Sequence, residues 1–143
     1  MAYVRFIRAR VPKFSDIREK IESKLGKAVK KHSLRIAADI RASFKEPKHG
    51  RIYYYQGRRI QASAPGEPPA IRSGQLYQNV YPVFSPSGLQ AMINPRAKGV
   101  FYAAWLEEGT SRMAPRPYIT PAFDRRREDF LTEVRTELAK LLG

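Results

Sequence analysis

Residues 16–44 read DIREKIESKLGKAVKKHSLRIAADIRASF, and the spacing within them predicts one long helix. Ile17, Ile21, Leu25, Val29, Ile36 and Ile40 recur at intervals of four and seven. At ~100° per residue they trace a single, slowly drifting apolar face. Asp16 suits the N-cap, with Glu19 three residues on to complete a capping box. Gly26 is the weak point, where a kink is expected. At ~1.5 Å per residue the helix is roughly 40 Å long. That exceeds the width of a domain built from 143 residues, so part of it is expected to project beyond its own core.

Shorter elements flank this helix. Tyr3 to Val11 alternates loosely and is rich in β-branched and aromatic residues, which predicts a strand ended by Pro12. Arg51–Tyr55 and Arg58–Ala62 predict two strands turning at Gln56-Gly57. Ser73 is placed to cap a short helix running to Asn79. Tyr81–Ser85 and Leu89–Asn94 predict a second hairpin around Pro86-Ser87-Gly88. A short helix is expected from Val100 to Glu108, closed by Gly109. The last begins with Thr120 as N-cap and Pro121 at the first helical position, and carries Phe123, Phe130, Val134, Leu138 and Leu141 on one face. Ala64–Pro69 and Thr110–Ile119 are too rich in proline for regular structure. This order predicts an α+β fold in a single domain over residues 1–143: a small antiparallel sheet packed by a long N-terminal helix and a C-terminal helix.

Composition narrows the function classes. The chain lacks cysteine, which excludes disulfides and thiolate chemistry and suits a reducing cytoplasm. No apolar run approaches the ~20 residues of a membrane span, and the start MAYVRFIRARV has no signal-peptide core, so a soluble chain with no membrane partner is expected. The net charge is +14. It is uneven: residues 1–51 hold fifteen Lys or Arg against five Asp or Glu, and the remainder twelve against eight. Such an excess predicts attraction to a polyanion or an acidic protein surface.

The cations are ordered. Lys20, Lys24, Lys27, Lys31 and Arg35 recur at spacings of four, three, four and four, within about an 80° arc of the helix. Like charges at these separations repel by a few tenths of a kcal/mol per pair, a cost that an acidic partner removes. Asp129, Glu133 and Glu137 form an acidic row on the last helix. Spacing leaves open whether the rows meet within one subunit or across two. Arg125-Arg126-Arg127 is a second basic cluster, placed at the unfavourable positive end of a helix dipole; Arg127, near the apolar face, is expected to snorkel or pair.

Groups suited to catalysis are sparse. His32 lies on the apolar face of the long helix and His49 in a loop, neither with a carboxylate at helical ligand spacing. Glu107-Glu108 is the one carboxylate pair that invites acid–base chemistry, but adjacent helical residues point about 100° apart. No phosphate-cradling glycine loop is present. No catalytic residue, metal site or cofactor is expected.

Two irregular stretches carry a resemblance. The first is Ala62-Ser63-Ala64-Pro65-Gly66-Glu67-Pro68-Pro69-Ala70, followed by Arg72-Ser73-Gly74-Gln75-Leu76. The second is Tyr102-Ala103-Ala104-Trp105-Leu106-Glu107-Glu108-Gly109-Thr110-Ser111, running into Met113-Ala114-Pro115-Arg116-Pro117-Tyr118-Ile119-Thr120-Pro121-Ala122. Together they resemble the tail-completion, or neck, proteins of long-tailed phages, a family similar to the lambda minor tail protein Z group. In that family a Pro-Gly-x-Pro-Pro segment precedes a Ser/Thr-Gly-x-Leu turn, and Glu-x-Gly-Thr leads into an Arg-Pro-aromatic stretch opening the last helix. Glu108 departs from the pattern, which has an uncharged residue there, and the basic N-terminal helix is not part of it.

The resemblance implies a non-catalytic virion subunit, assembled in the host cytoplasm. It would form a homo-oligomeric ring at the head-proximal end of the tail. Its expected partners are tail terminator or tail tube proteins on one side and head–tail connector, adaptor or stopper proteins on the other, with packaged DNA as a possible further contact. The residues expected at these interfaces are the two charged rows together with Pro65, Glu67, Pro68, Thr110, Arg112 and Arg116. An alternative from another class is a nucleic-acid-binding protein that uses the Lys stripe with Tyr53, Tyr54 and Tyr55, since interleaved aromatics and cations suit single strands. A nuclease lacks any metal-ligand cluster.

Overall fold

The computed structural model describes residues 13–93 and 102–143. The strand expected at Tyr3–Val11 lies outside them, as do Asn94 of the second hairpin and Val100 and Phe101 of the short helix. Helix α1 spans Phe14–Lys45 and runs without interruption through Gly26. It starts before Asp16, so that residue is in the first turn and not the cap. Lys13 holds the capping position and makes no side-chain bond there. An acid in the first turn still favours the helix dipole.

Burial along α1 begins at Ala28. Ala28, His32, Ile36, Ile40 and Phe44 step along it four residues apart, with Ser33 and Ala37 beside them. The two serines are satisfied within the helix: the Ser33 hydroxyl donates to the Val29 carbonyl and that of Ser43 to Ile40 at 2.7 Å. Strands β1 (Ile52–Tyr55) and β2 (Arg58–Gln61) pair antiparallel, with Tyr55 opposite Arg58. Their two-residue turn puts both Gln56 and Gly57 at positive φ, 50° and 76°, the geometry that matches strand twist. A short helix, α2 (Gln75–Gln78), follows the first proline-rich loop. Its cap is Gly74 rather than Ser73, whose hydroxyl accepts a long bond from the Gln75 amide at 3.4 Å. Strands β3 (Pro82–Phe84) and β4 (Ala91–Ile93) form a second antiparallel ribbon.

The ribbons are separate two-stranded sheets and not one continuous sheet. The chain between them puts Leu76 and Val80 into the core, so a short helix, not a strand, links them. Helix α3 covers Ala103–Glu108 and α4 covers Ile119–Leu142. The core joins the C-terminal half of α1 to Leu76, Val80, Ile93, Ala103, Tyr118 and Ala122. Fully burying one such large side chain contributes about 1.5–3 kcal/mol. Architecture is therefore α+β, with the two long helices packed together and the second ribbon against α1.

Candidate functional site

Helices α1 and α4 run antiparallel, and their charged side chains register that packing. Asp39 meets Arg126 in a two-pronged pair, Nε to Oδ2 at 2.6 Å and Nη2 to Oδ1 at 2.9 Å. Further out, Lys31 Nζ meets Glu133 at 2.8 Å and Lys24 Nζ meets Glu137 at 3.2 Å. Two members of the lysine row thus meet two members of the acidic row inside one chain, which answers what spacing left open. Positions 126, 130, 133 and 137 face α1, so Arg126 pairs, while Arg127, expected to snorkel or pair, makes no ion pair among the described residues and lies exposed at the apolar groove beside α4. The Arg126 hydrogen bonds hold the Asp39 carboxyl below its ordinary range. Lys31 and His32 do the same for Glu133, and Lys140 and Lys24 for Glu137.

His32 is a packing residue. Its imidazole is buried, its Nε2 lies 2.6 Å from Glu133, and Phe130 meets it edge-on at 5.4 Å. The rest of the row is not brought to any acid: Lys20, Lys27 and Arg35 make no ion pair among the described residues, and neither does Lys30. Asp129 is exposed and makes no ion pair among the described residues, though its charge acts on Arg126. Leu34 lies among these cations, 49% exposed.

The proline-rich segments are tied to each other. The Gly66 amide donates to the Pro115 carbonyl at 3.0 Å. Glu67 accepts from the backbone amides of Ala64 at 2.8 Å and His49 at 3.1 Å, and its other oxygen lies 2.5 Å from His49 Nδ1. The Ala64 amide and the His49 ring hold its carboxyl at about 2. Glu67, an expected contact residue, is thus bonded within its own chain, while Pro65 beside it is exposed and Pro68 half-buried.

In the second segment the Thr110 amide donates to the Met113 carbonyl at 2.8 Å, and the Arg112 amide to the Thr110 hydroxyl at 3.2 Å. The Arg112 side chain is exposed. Gly109 turns the chain at φ 77°, ψ −177°, a region open essentially to glycine alone. A Cβ there would lie 2.8 Å from the Met113 carbonyl oxygen and 2.9 Å from Pro115.

Glu107 carries a role that sequence reasoning missed. Its carboxylate accepts the backbone amides of Tyr118, Ile119 and Thr120 at 2.8, 2.9 and 2.8 Å. It therefore caps α4 from outside, in place of Thr120, and Tyr118 holds the formal cap position. Burial pushes this carboxyl up, but the amide bonds prevail and hold it below its ordinary value. Glu108 points away, exposed. The pair that invited acid–base chemistry is divided between a cap and a surface charge.

Two concave surfaces complete the picture. A groove of about 950 Å³ lies between α1, the second ribbon and α4, walled by Val29, Ile36, Phe84, Phe123 and Phe130. Phe123, expected on the buried face of α4, is 43% exposed in this wall, and Ala122 is buried instead. A second cavity, of about 430 Å³, is lined in part by Arg116. Among the described residues no group of three His, Cys, Asp or Glu is placed to hold a metal ion, and no helix is long and apolar enough to cross a membrane. No family model matches the chain, and neither a curated protein nor a solved structure is significantly similar to it.

Proposed function

We propose that this chain is a non-enzymatic structural subunit of a tailed-phage particle. It closes into a ring at the head-proximal end of the tail and joins the tail to the head connector. The observation that carries this reading is the distribution of apolar surface. Among the described residues eleven hydrophobic side chains are buried, whereas twelve large ones are exposed. The exposed set includes Phe14 at the start of α1 and Leu142 at the end of α4, which share the projecting end of the helix pair. Apolar side chains left exposed at one end of a helix pair suit contact with another polypeptide. The residues of the resemblance support the same reading, because Glu67, Gly109 and Glu107 hold loops and a helix end in place and are not free to act on a substrate.

In this assembly the neighbours are further copies of the chain, a tail terminator or tail tube protein, and a connector, adaptor or stopper protein. The unpaired cations Lys20, Lys27, Lys30 and Arg35 meet an acidic neighbour across a head-to-tail joint. Because Lys24 and Lys31 stabilise the helix pair, the informative variant is K20E/K27E/K30E. It is expected to keep its helical circular dichroism while heads and tails accumulate unjoined. Normal particles from this variant would remove the basic row from the interface. Particles that join normally without the polypeptide would remove the whole reading.

The same unpaired cations, with Tyr54 exposed on β1, favour a second reading as a nucleic-acid-binding protein. That reading requires a monomer whose submicromolar DNA affinity falls steeply with salt. Weak binding alone does not support it, since any chain this basic attracts polyanions.

A further inference from the structure

The 430 Å³ cavity lies where the end of α1, the first ribbon, the first proline-rich loop and α3 meet. Phe44, Leu76 and Leu106 give it apolar walls, and Tyr53, Tyr77 and Tyr102 line it further. Its volume falls within the ~300–1,000 Å³ of sites that enclose small groups. Arg116 lines it from a fixed mount, since its backbone amide donates to the Leu106 carbonyl at 2.6 Å. The Arg116 Nη1 is fully buried and has no acceptor among the described residues. Arg72, stacked over the Tyr55 ring at 4.8 Å, lines the cavity as well.

Leaving a buried donor of a charged group without an acceptor is costly, so an acceptor is expected to complete the site. The chain does not supply an acidic one. All thirteen Asp and Glu residues lie among the described residues, and none lines the cavity. Residues 1–12 and 94–101 contain no acid at all.

We infer that this cavity is a binding site for a carboxylate, carried on an acidic side chain of a neighbouring subunit. A guanidinium matches a carboxylate in a planar, two-pronged geometry. The walls of Phe44, Leu76 and Leu106 accept the methylene stem that carries it. The apolar walls suit a methylene stem better than the two polar sugars that flank a phosphodiester, which favours a protein acid over DNA. That the acid belongs to a neighbouring subunit rests on the structural reading above. The preference of the cavity for a carboxylate does not.

Benzoate serves as the probe, titrated into the purified full chain while the Arg116 side-chain Nε–Hε resonance and the Leu76 and Leu106 methyl resonances are followed by NMR. The expected result is a saturable shift at all three residues, with inorganic phosphate at least about tenfold weaker (~1.4 kcal/mol) and neutral benzamide without effect. R116Q should lose the response and R116K should retain a weakened one, each with the dispersion of the native spectrum. No response to benzoate overturns the inference, and so does an equal response to benzamide. Phosphate binding as tightly as benzoate overturns the choice of a carboxylate. The titration uses the isolated chain, so its failure leaves the ring reading standing, and a failure to form rings leaves the titration unaffected.

Discussion

At the residue scale, two carboxylates hold the irregular half of the molecule together. Glu107 accepts three amides at the start of α4, so Glu107→Ala should lower stability by about 1–2 kcal/mol, read as a fall in the urea midpoint. An unchanged midpoint would mean that the cap is idle. Glu67 has its pKa lowered to about 2 from an ordinary value near 4.5. A carboxyl depressed on folding stabilises the native state above its unfolded pKa, and that contribution is lost as pH falls through the folded value. The urea midpoint of the native chain should therefore drop more steeply between about pH 4.5 and 2 than that of Glu67→Gln. Parallel profiles would show that the carboxylate contributes nothing to stability. Neither role was legible in the sequence. Local rules assigned the α4 cap to Thr120 because Thr-Pro is a sound N-terminal signal, but the actual cap arrives from thirteen residues earlier. Glu67 was legible only as a member of a proline-rich motif, because its partner His49 is eighteen residues away.

At the element scale the long helix was the most legible feature, since apolar residues four apart leave one face to bury. What its pattern did not reveal is where burial begins. Ile17, Ile21, Leu25 and Val29 continue the stripe but are only half-buried, and the first fully buried apolar residue is Ala28. The stripe reports a contact with α4 over the first half and a core only over the second. Gly26 sits in the first half, and a Cβ there would meet the Gly88 carbonyl oxygen at 3.6 Å, an ordinary contact. Glycine is therefore not required at this point, and Gly26→Ala should raise stability by about 0.5–1 kcal/mol. Destabilisation would show that the helix needs the freedom of glycine here. The two hairpins were legible from their turns, at Gln56-Gly57 and Pro86-Ser87-Gly88, but turns carry no information on whether ribbons merge into one sheet. The charged rows were legible as rows. Their pairing within one chain depends on the antiparallel approach of α1 and α4, which only the packed fold determines.

At the scale of the whole molecule, one end is a small core braced by proline-rich loops, and the other is a helix pair held by ion pairs and fringed with unpaired lysines. This arrangement leaves apolar side chains at the far helix end, in the groove beside α4 and on the first ribbon, where separate neighbours could cover each. A subunit in a closed ring has such a division, because each interface is formed by two different faces. Native mass spectrometry of the purified chain mixed with isolated tails tests this account most directly. The account predicts tails that carry one fixed, integral number of copies of the chain. Tails unchanged in mass beside a chain that stays monomeric would contradict it.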